Sequence, residues 1–235
     1  MTTQRSYDDA CGMAHALDLV GERWALLVVR ELVVGPKRFS DLKTDLRGIS
    51  TNVLSDRLGE LDRAGIVRRR RLPPPAASWV YEVTEWGAEL EPIMRQIGRW
   101  GARSPAHRPD LPLSVASFVL SLRTNFESGT AARLNAEYQL RVGGHPFRAR
   151  VGDREFEVEH GAAERPAATI EGRPEAFAGV IYGGRKLSEA IAAGDLTVEG
   201  DQESASGFLG LFPLPAPALP PSSSPVSAEP QPSRS

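Results

Sequence analysis

Cysteine is almost absent from this chain. Cys11 is the single one among 235 residues, which rules out an intramolecular disulfide. Histidine is also scarce: His15, His107, His145 and His160 are scattered, with no cysteine or acidic partner at metal-ligand spacing. No Gly-x-Gly-x-x-Gly, phosphate-binding loop or Gly-x-Ser-x-Gly occurs, so neither an enzymatic reaction nor a cofactor is expected. Glu155, Glu157 and Glu159 alternate as on a solvated sheet face rather than as a pair of catalytic carboxylates. Asp8 and Asp9 interrupt the N-terminus before it reaches signal-peptide length, and no later run could span a bilayer. No membrane association and a cytoplasmic location are therefore expected. Lysine is nearly missing, with three against 25 arginines, a bias of genome composition that carries no mechanism.

Charge is present but unevenly placed. Residues 1–108 carry 17 Lys plus Arg against 14 Asp plus Glu, a net of +3, while residues 109–235 carry 11 against 16, a net of −5. A basic first half joined to an acidic second half suggests two domains of which only the first meets a polyanion. The expected division is 1–104, a Pro-rich linker at 105–112, a second domain at 113–212, and a tail at 213–235. That tail has eight prolines, six serines and almost no charge, and is expected to be disordered.

The densest information lies between Ser40 and Val83. Ser50 sits at an N-cap position, with Ile49 and Leu54 spaced as a hydrophobic staple across it. Leu54, Leu58 and Leu61 continue at helical spacing, and Gly65-Ile66 supplies a left-handed stop after Ala64. With the leucines inward, Thr51, Asn52, Ser55, Asp56, Gly59 and Arg63 turn to solvent. Phe39, Leu42 and Leu46 predict a shorter preceding helix capped by Ser40, with Arg47-Gly48 as the turn between the two. Beyond them, Ile66–Leu72 and Trp79–Thr84 read as strands around the loop Pro73–Ser78.

Helix, turn, helix and basic hairpin in that order predict a winged helix-turn-helix, whose usual partner is double-stranded DNA. From Lys37 to Arg71 there are ten basic residues against five acidic ones, the footprint of a phosphate binder. Thr51, Asn52 and Ser55 are expected to read bases. Arg57, Arg63, Arg69 and Arg71 are expected to contact phosphate or to hold the reading helix and wing in place. Lys37, Arg38, Ser40 and Ser50 complete the candidate DNA-contacting set.

Cys11, Ala16–Trp24, Gly35–Leu42, Gly48–Ser50, Val53–Leu58 and Tyr81–Gly87 together resemble the HxlR-type family of bacterial winged-helix transcriptional regulators, a branch near the MarR regulators, over about residues 8–103. The resemblance implies a cytoplasmic, nucleoid-associated homodimer on a near-palindromic operator, with the first and last helices of the domain at the dimer contact. Separately, Met13, Ala16, Leu17 and Val20 form an apolar stripe, as do Leu90, Ile93, Met94, Ile97 and Trp100. The sequence leaves their division between core and interface open. Many members of the family carry a cysteine at the position of Cys11, and in some it senses oxidants or electrophiles. Here Gly12 follows it, where the family commonly has proline. An intersubunit disulfide, a thiol adduct and an inert side chain all remain open.

In the second half, Val115, Phe118, Val119 and Leu122 predict a helix. Strands are expected at Glu137–Val142, Phe147–Val151, Arg154–Glu159, Ala168–Gly172 and Leu196–Asp201, with a hairpin turn at Gly143-Gly144 and helices near Pro174–Tyr182 and Leu187–Ala193. An apolar end follows at Phe208, Leu209, Leu211 and Phe212. The fold class is α+β, with an antiparallel or mixed sheet covered by helices. Thr169–Gly172, Leu187–Ile191 and Gly194–Asp201 resemble a sterol-carrier-protein-type lipid-binding domain over about residues 112–212. The resemblance implies an apolar tunnel, for which Phe118, Leu122, Phe147, Phe177, Ile181, Leu187, Ile191, Leu209 and Phe212 are the candidate lining residues. Two functions are compatible with these readings. One is a ligand-responsive regulator, a repressor answering a hydrophobic small molecule. The other is a lipid carrier that uses its winged helix for dimerisation.

Overall fold

The hydroxyl of Ser50 accepts a hydrogen bond from the Val53 amide at 3.2 Å, and the helix that follows it is the centre of the first half. The computed structural model describes residues 6–109, 111–129 and 134–218. The first half consists of α1 (Gly12–Val20), α2 (Ala25–Leu32), α3 (Phe39–Asp45), α4 (Thr51–Arg63), β1 (Val67–Arg71), β2 (Trp79–Val83), α5 (Glu85–Ala88) and α6 (Leu90–Ala102). Gly65 adopts φ +73°, letting the Ile66 amide reach back to the Leu61 carbonyl at 2.9 Å and end α4 where the sequence predicts. Ser40 does not cap α3. The cap is Arg38, whose amide donates to Asp41 Oδ2 at 3.2 Å, because a carboxylate at the third helical position satisfies that amide better than a hydroxyl inside the first turn.

The core of this half gathers around α2. Val28, Val29 and Leu32 pack with Leu54, Leu58 and Leu61 of α4 and with Leu42 and Ile49, all buried. α2 also carries a buried carboxylate, Glu31. Its Oε2 meets Lys37 Nζ at 2.7 Å, and its Oε1 meets Arg30 Nη2 at 2.8 Å and the Ser114 hydroxyl at 2.7 Å. Lys37 in turn pairs with Asp45 at 2.6 Å and exchanges backbone hydrogen bonds with Tyr81 on β2. Burial pushes the Glu31 carboxyl up, but the charges of Lys37 and Arg30 and the bonds from Lys37 and Ser114 outweigh it, leaving the group below its ordinary value.

The second half consists of α7 (Val115–Asn125), β3 (Ala136–Val142), β4 (His145–Gly152), β5 (Glu155–His160), β6 (Ala168–Gly172), α8 (Pro174–Ile181), α9 (Leu187–Ala192), β7 (Leu196–Gly200) and α10 (Gln202–Leu209). The sheet order is β5-β4-β3-β6-β7, with β3 and β6 parallel and every other pair antiparallel, the mixed alternative of the expected sheet. Gly143 and Gly144 take φ +58° and +83°, as the tight hairpin between β3 and β4 requires. Helix α10 falls where the sequence suggested only an apolar end. Asp201 caps it by accepting from the Glu203 and Ser204 amides at 2.9 and 3.0 Å, and Phe208 and Leu209 anchor it on the sheet.

The two halves meet along α7, which packs on α6 and α2. Arg123 pairs with Glu91 of α6 at 2.9 Å and donates to the Val158 carbonyl of β5 at 2.6 Å, so one guanidinium joins both halves. Arg95 of α6 donates to the Arg123 carbonyl. The expected linker carries no helix or strand among the described residues. Residues 213–218 also take no regular structure, yet they are held, since Arg103 Nε donates to the Ala216 carbonyl at 3.1 Å and the Ala218 amide to the Arg103 carbonyl at 2.7 Å. The remainder of the Pro/Ser-rich tail, 219–235, lies outside the described residues. Among the described residues no helix is long and apolar enough to cross a membrane.

Replacing Glu31 with glutamine is expected to destabilise the protein by about 3 kcal/mol at neutral pH, because Lys37 loses its buried partner. The folded carboxyl lies below its unfolded value, so its contribution is complete above about pH 4.3 and fades as pH falls through the lowered value. Urea unfolding of both proteins should therefore converge in acid, and a gap that widens on acidification would refute this role.

Candidate nucleic-acid interface

Helix α4 presents Thr51, Asn52, Ser55, Asp56, Gly59 and Arg63 to solvent, with its three leucines buried beneath them. Short polar side chains at an exposed helix N-terminus can approach base edges without steric obstruction, while the free amides there favour phosphate. Ser50 uses its oxygen as the cap acceptor and keeps its hydroxyl proton available to a ligand. Arg38 and Ser40 are exposed beside this surface, and Arg38 Nε reaches the Ser78 hydroxyl at 3.2 Å, tying α3 to the wing loop.

The wing sorts its four arginines by face. Arg68 lies opposite Glu82 in the β1–β2 register, and Glu82 accepts from Arg68 at 2.7 Å and from Arg70 at 2.6 Å. Burial raises the Glu82 carboxyl, but bonds and charge from Arg70 and Arg68 prevail and hold it below the usual carboxylate range. Arg69 and Arg71 point the other way. Arg69 stacks over Trp79 at 4.6 Å, and Arg71 has a single long contact to the Ala77 carbonyl at 3.4 Å. Among the wing arginines these two carry charge with no carboxylate against it in any described contact.

Two of the expected DNA contacts are corrected by the geometry. Lys37 is held between Glu31 and Asp45 with its side chain only 18% exposed, so its charge is spent inside the protein. Arg57 is similarly withdrawn, pairing with Glu60 at 2.7 Å and Glu22 at 3.7 Å. Of the two roles expected for it, it performs the holding one, fastening α4 to the segment after α1. Neither partner of Lys37 nor Glu22 lies at a spacing that sequence periodicity flags, whereas Arg57–Glu60 is an i,i+3 pair that could have been read.

The two apolar stripes divide as follows. Val20 and Met94 belong to the core, Leu90 packs partly against it, and Ala16 is exposed. Met13, Leu17, Ile93, Ile97 and Trp100 are exposed, Met13 by 66% and Trp100 by 78%. Cys11 is exposed at the N-cap of α1, where the nearby backbone amides of Ala14 and Met13 at the helix start hold its thiol below the ordinary value.

The candidate tunnel residues of the second half do not share one space. Phe118 and Phe177 pack on each other at 5.1 Å, Phe212 lies among Phe126, Phe156 and Phe208, and Leu122 and Phe147 are buried in the same core. These five fill the interior, because close-packed aromatic rings leave no room between them. Ile181, Leu187, Ile191 and Leu209 do converge, on a groove of about 440 Å³ between α8, α9 and α10. A second cavity, of about 390 Å³, lies at the seam between the halves and is lined from α2, α6 and α7. Sequence reading missed it, since its walls come from segments far apart in the chain.

The pairing predicts a contrast between variants. Arg69→Ala combined with Arg71→Ala should weaken binding to every DNA sequence by about tenfold or more and lower the log–log salt slope by about 2. Lys37→Met should lower thermal stability and leave that slope unchanged, as salt titrations of DNA affinity would read directly.

Comparison with known proteins supplies the family. The HxlR-like helix-turn-helix family matches residues 19–108, and the SCP-2 sterol transfer family matches residues 122–213. The uncharacterized HTH-type transcriptional regulator YvaP of Bacillus subtilis (strain 168) is 38% identical over 85 residues, 36% of this chain and 79% of that protein. The HTH-type transcriptional regulator YodB of the same organism is 35% identical over 88 residues, 37% and 79% of the two chains. Its reduced form, among solved structures, is 31% identical, with 42% of this chain and 97% of that one covered at a TM-score of 0.37. The chain therefore belongs to the HxlR-like helix-turn-helix family, and its second half matches the SCP-2 sterol transfer family.

Proposed function

We propose that this protein is a transcriptional repressor that binds a near-palindromic operator as a homodimer and answers a hydrophobic small molecule held with the help of its second half. The observation that carries the reading is the face of α4: exposed Thr51, Asn52 and Ser55 over a leucine-packed base, flanked by Arg63 and by the unpaired wing cations Arg69 and Arg71. Bases are read by the three short residues, and phosphates by the arginines, Arg38 and the amides at the start of α4. The exposed parts of the two stripes, Met13 and Leu17 on α1 and Ile93, Ile97 and Trp100 on α6, are apolar surface that a second copy would bury, setting two reading helices at a fixed spacing.

A second reading, compatible with the first, concerns Cys11. Its thiol is exposed, lowered by two backbone amides, and two residues before Met13 on the proposed dimer surface. An oxidant or electrophile captured there would act directly on the dimer, and Cys11→Ser would keep DNA binding while abolishing its response to such agents.

Titration of the protein into DNA from upstream of its own gene, at two salt concentrations and beside unrelated DNA, tests the main reading. Selective, salt-sensitive binding is expected, and Asn52→Ala should cost about 1–3 kcal/mol on the preferred sequence but little on the unrelated one. Equal affinity for both DNAs with an intact dimer would instead support a ligand carrier that uses the winged helix for dimerisation.

A further inference from the structure

The seam cavity is built from both halves. Leu26 and Leu27 of α2 and Met94 and Ile97 of α6 form one wall, and Leu120 of α7 faces them. Its mainly apolar lining is interrupted by Arg30, His107 and Arg108 and by a polar cluster around Tyr182. Ser121 and Tyr182 share a hydrogen bond of 2.8 Å with Asn125 beside them on the cavity wall, and burial pushes the ionisation of the Tyr182 phenol up. Asn125 is only 5% exposed, lines the cavity, and has a carbonyl oxygen, Oδ1, that is buried with no hydrogen-bond partner. A buried acceptor left without a donor is unfavourable, and is the feature expected where a ligand supplies the missing proton.

We propose that this seam cavity, rather than the groove between α8, α9 and α10, is the effector site, and that it takes a neutral, mainly apolar molecule bearing one hydrogen-bond donor directed at Asn125 Oδ1. The volume suits a ligand of two or three fused or linked rings or a short branched chain. The proposal rests on the regulator reading and gives it a route. Ile97 belongs at once to the cavity wall and to the exposed stripe of α6, so a ligand that fixes α6 against α7 acts on the surface proposed for the second copy. Coupling then follows if the ligand prefers one spacing of the dimer over another.

The test uses the full chain and the fluorescent probe N-phenyl-1-naphthylamine, an apolar amine with one N–H donor, with 1-phenoxynaphthalene as its donor-free competitor. Saturable binding of one probe per chain is expected. Leu27→Trp, which fills the cavity from its half-exposed edge, should weaken it at least tenfold, while Ile191→Trp in the other groove should change it less than twofold. The wild-type protein should prefer the amine to the ether by roughly tenfold, and Asn125→Leu should erase that preference. Absence of saturable binding, loss with Ile191→Trp instead of Leu27→Trp, or equal affinity for amine and ether in the wild type would each overturn the proposal. DNA titration of the same proteins without probe checks that Leu27→Trp is folded. It also separates the two failures, because a chain that binds probe as expected but no operator would refute the regulator reading alone.

Discussion

The Glu31 carboxylate is the constraint on which the arrangement of this molecule depends. A charge fully removed from water is unfavourable unless every lone pair finds a donor, and Glu31 finds Lys37, Arg30 and Ser114. Each partner belongs to a different part of the fold. Lys37 lies just before α3 and is bridged to the wing strand β2, Arg30 is on α2 itself, and Ser114 caps α7. Satisfying one carboxylate therefore fixes the start of the helix-turn-helix, the root of the wing and the first turn of the second half at once. The apolar contacts of α2 supply most of the burial, but they are not directional, and the ion pairs select one arrangement among those that burial alone would allow.

Local pairing also decides what the basic surface is. Counting charges between Lys37 and Arg71 gives a net positive stretch, yet the folded chain neutralises Lys37 and Arg57 beneath the surface and clamps Arg68 and Arg70 onto Glu82. The charge that reaches outward sits on Arg38, Arg63, Arg69 and Arg71, and on Arg47 in the turn before α4. Glu82 thus acts as a sorting element, stiffening one face of the wing with the arginines it holds and leaving the opposite face to the two it cannot reach.

The parts of this fold legible in the sequence are those fixed by neighbours in the chain. Ser50, Ile49, Leu54 and Gly65 bound α4 through interactions spanning a few residues, and the glycine pair between β3 and β4 sets a turn by its own backbone freedom. The solvent-facing side chains Thr51, Asn52 and Ser55 followed from the same periodicity. Lys37 was misread because its partners sit 6 and 8 residues away around a corner that only the folded chain makes. Five of the nine candidate tunnel residues fill the core for another reason: apolar periodicity reports that a side chain is covered, not whether its cover is protein or ligand. Helix α10 was missed because its two buried aromatic and aliphatic anchors come at its end, leaving Asp201 as the one early signal. The seam cavity had no sequence signature, since Leu27, Leu120 and Tyr182 converge only after both halves have folded.

Helix α7 gives these observations a consequence for descent. Its Phe118 and Leu122 complete the core under the sheet, while Leu120 and Arg123 complete the winged-helix half. A helix with two inner faces is not a tether between interchangeable modules. Exchange of the second half for an unrelated one would strip cover from α2 and α6 and leave Glu31 without its hydroxyl donor. Recombination at this junction is therefore penalised, and change should accumulate by substitution at the walls of the seam, with the two halves inherited as one unit.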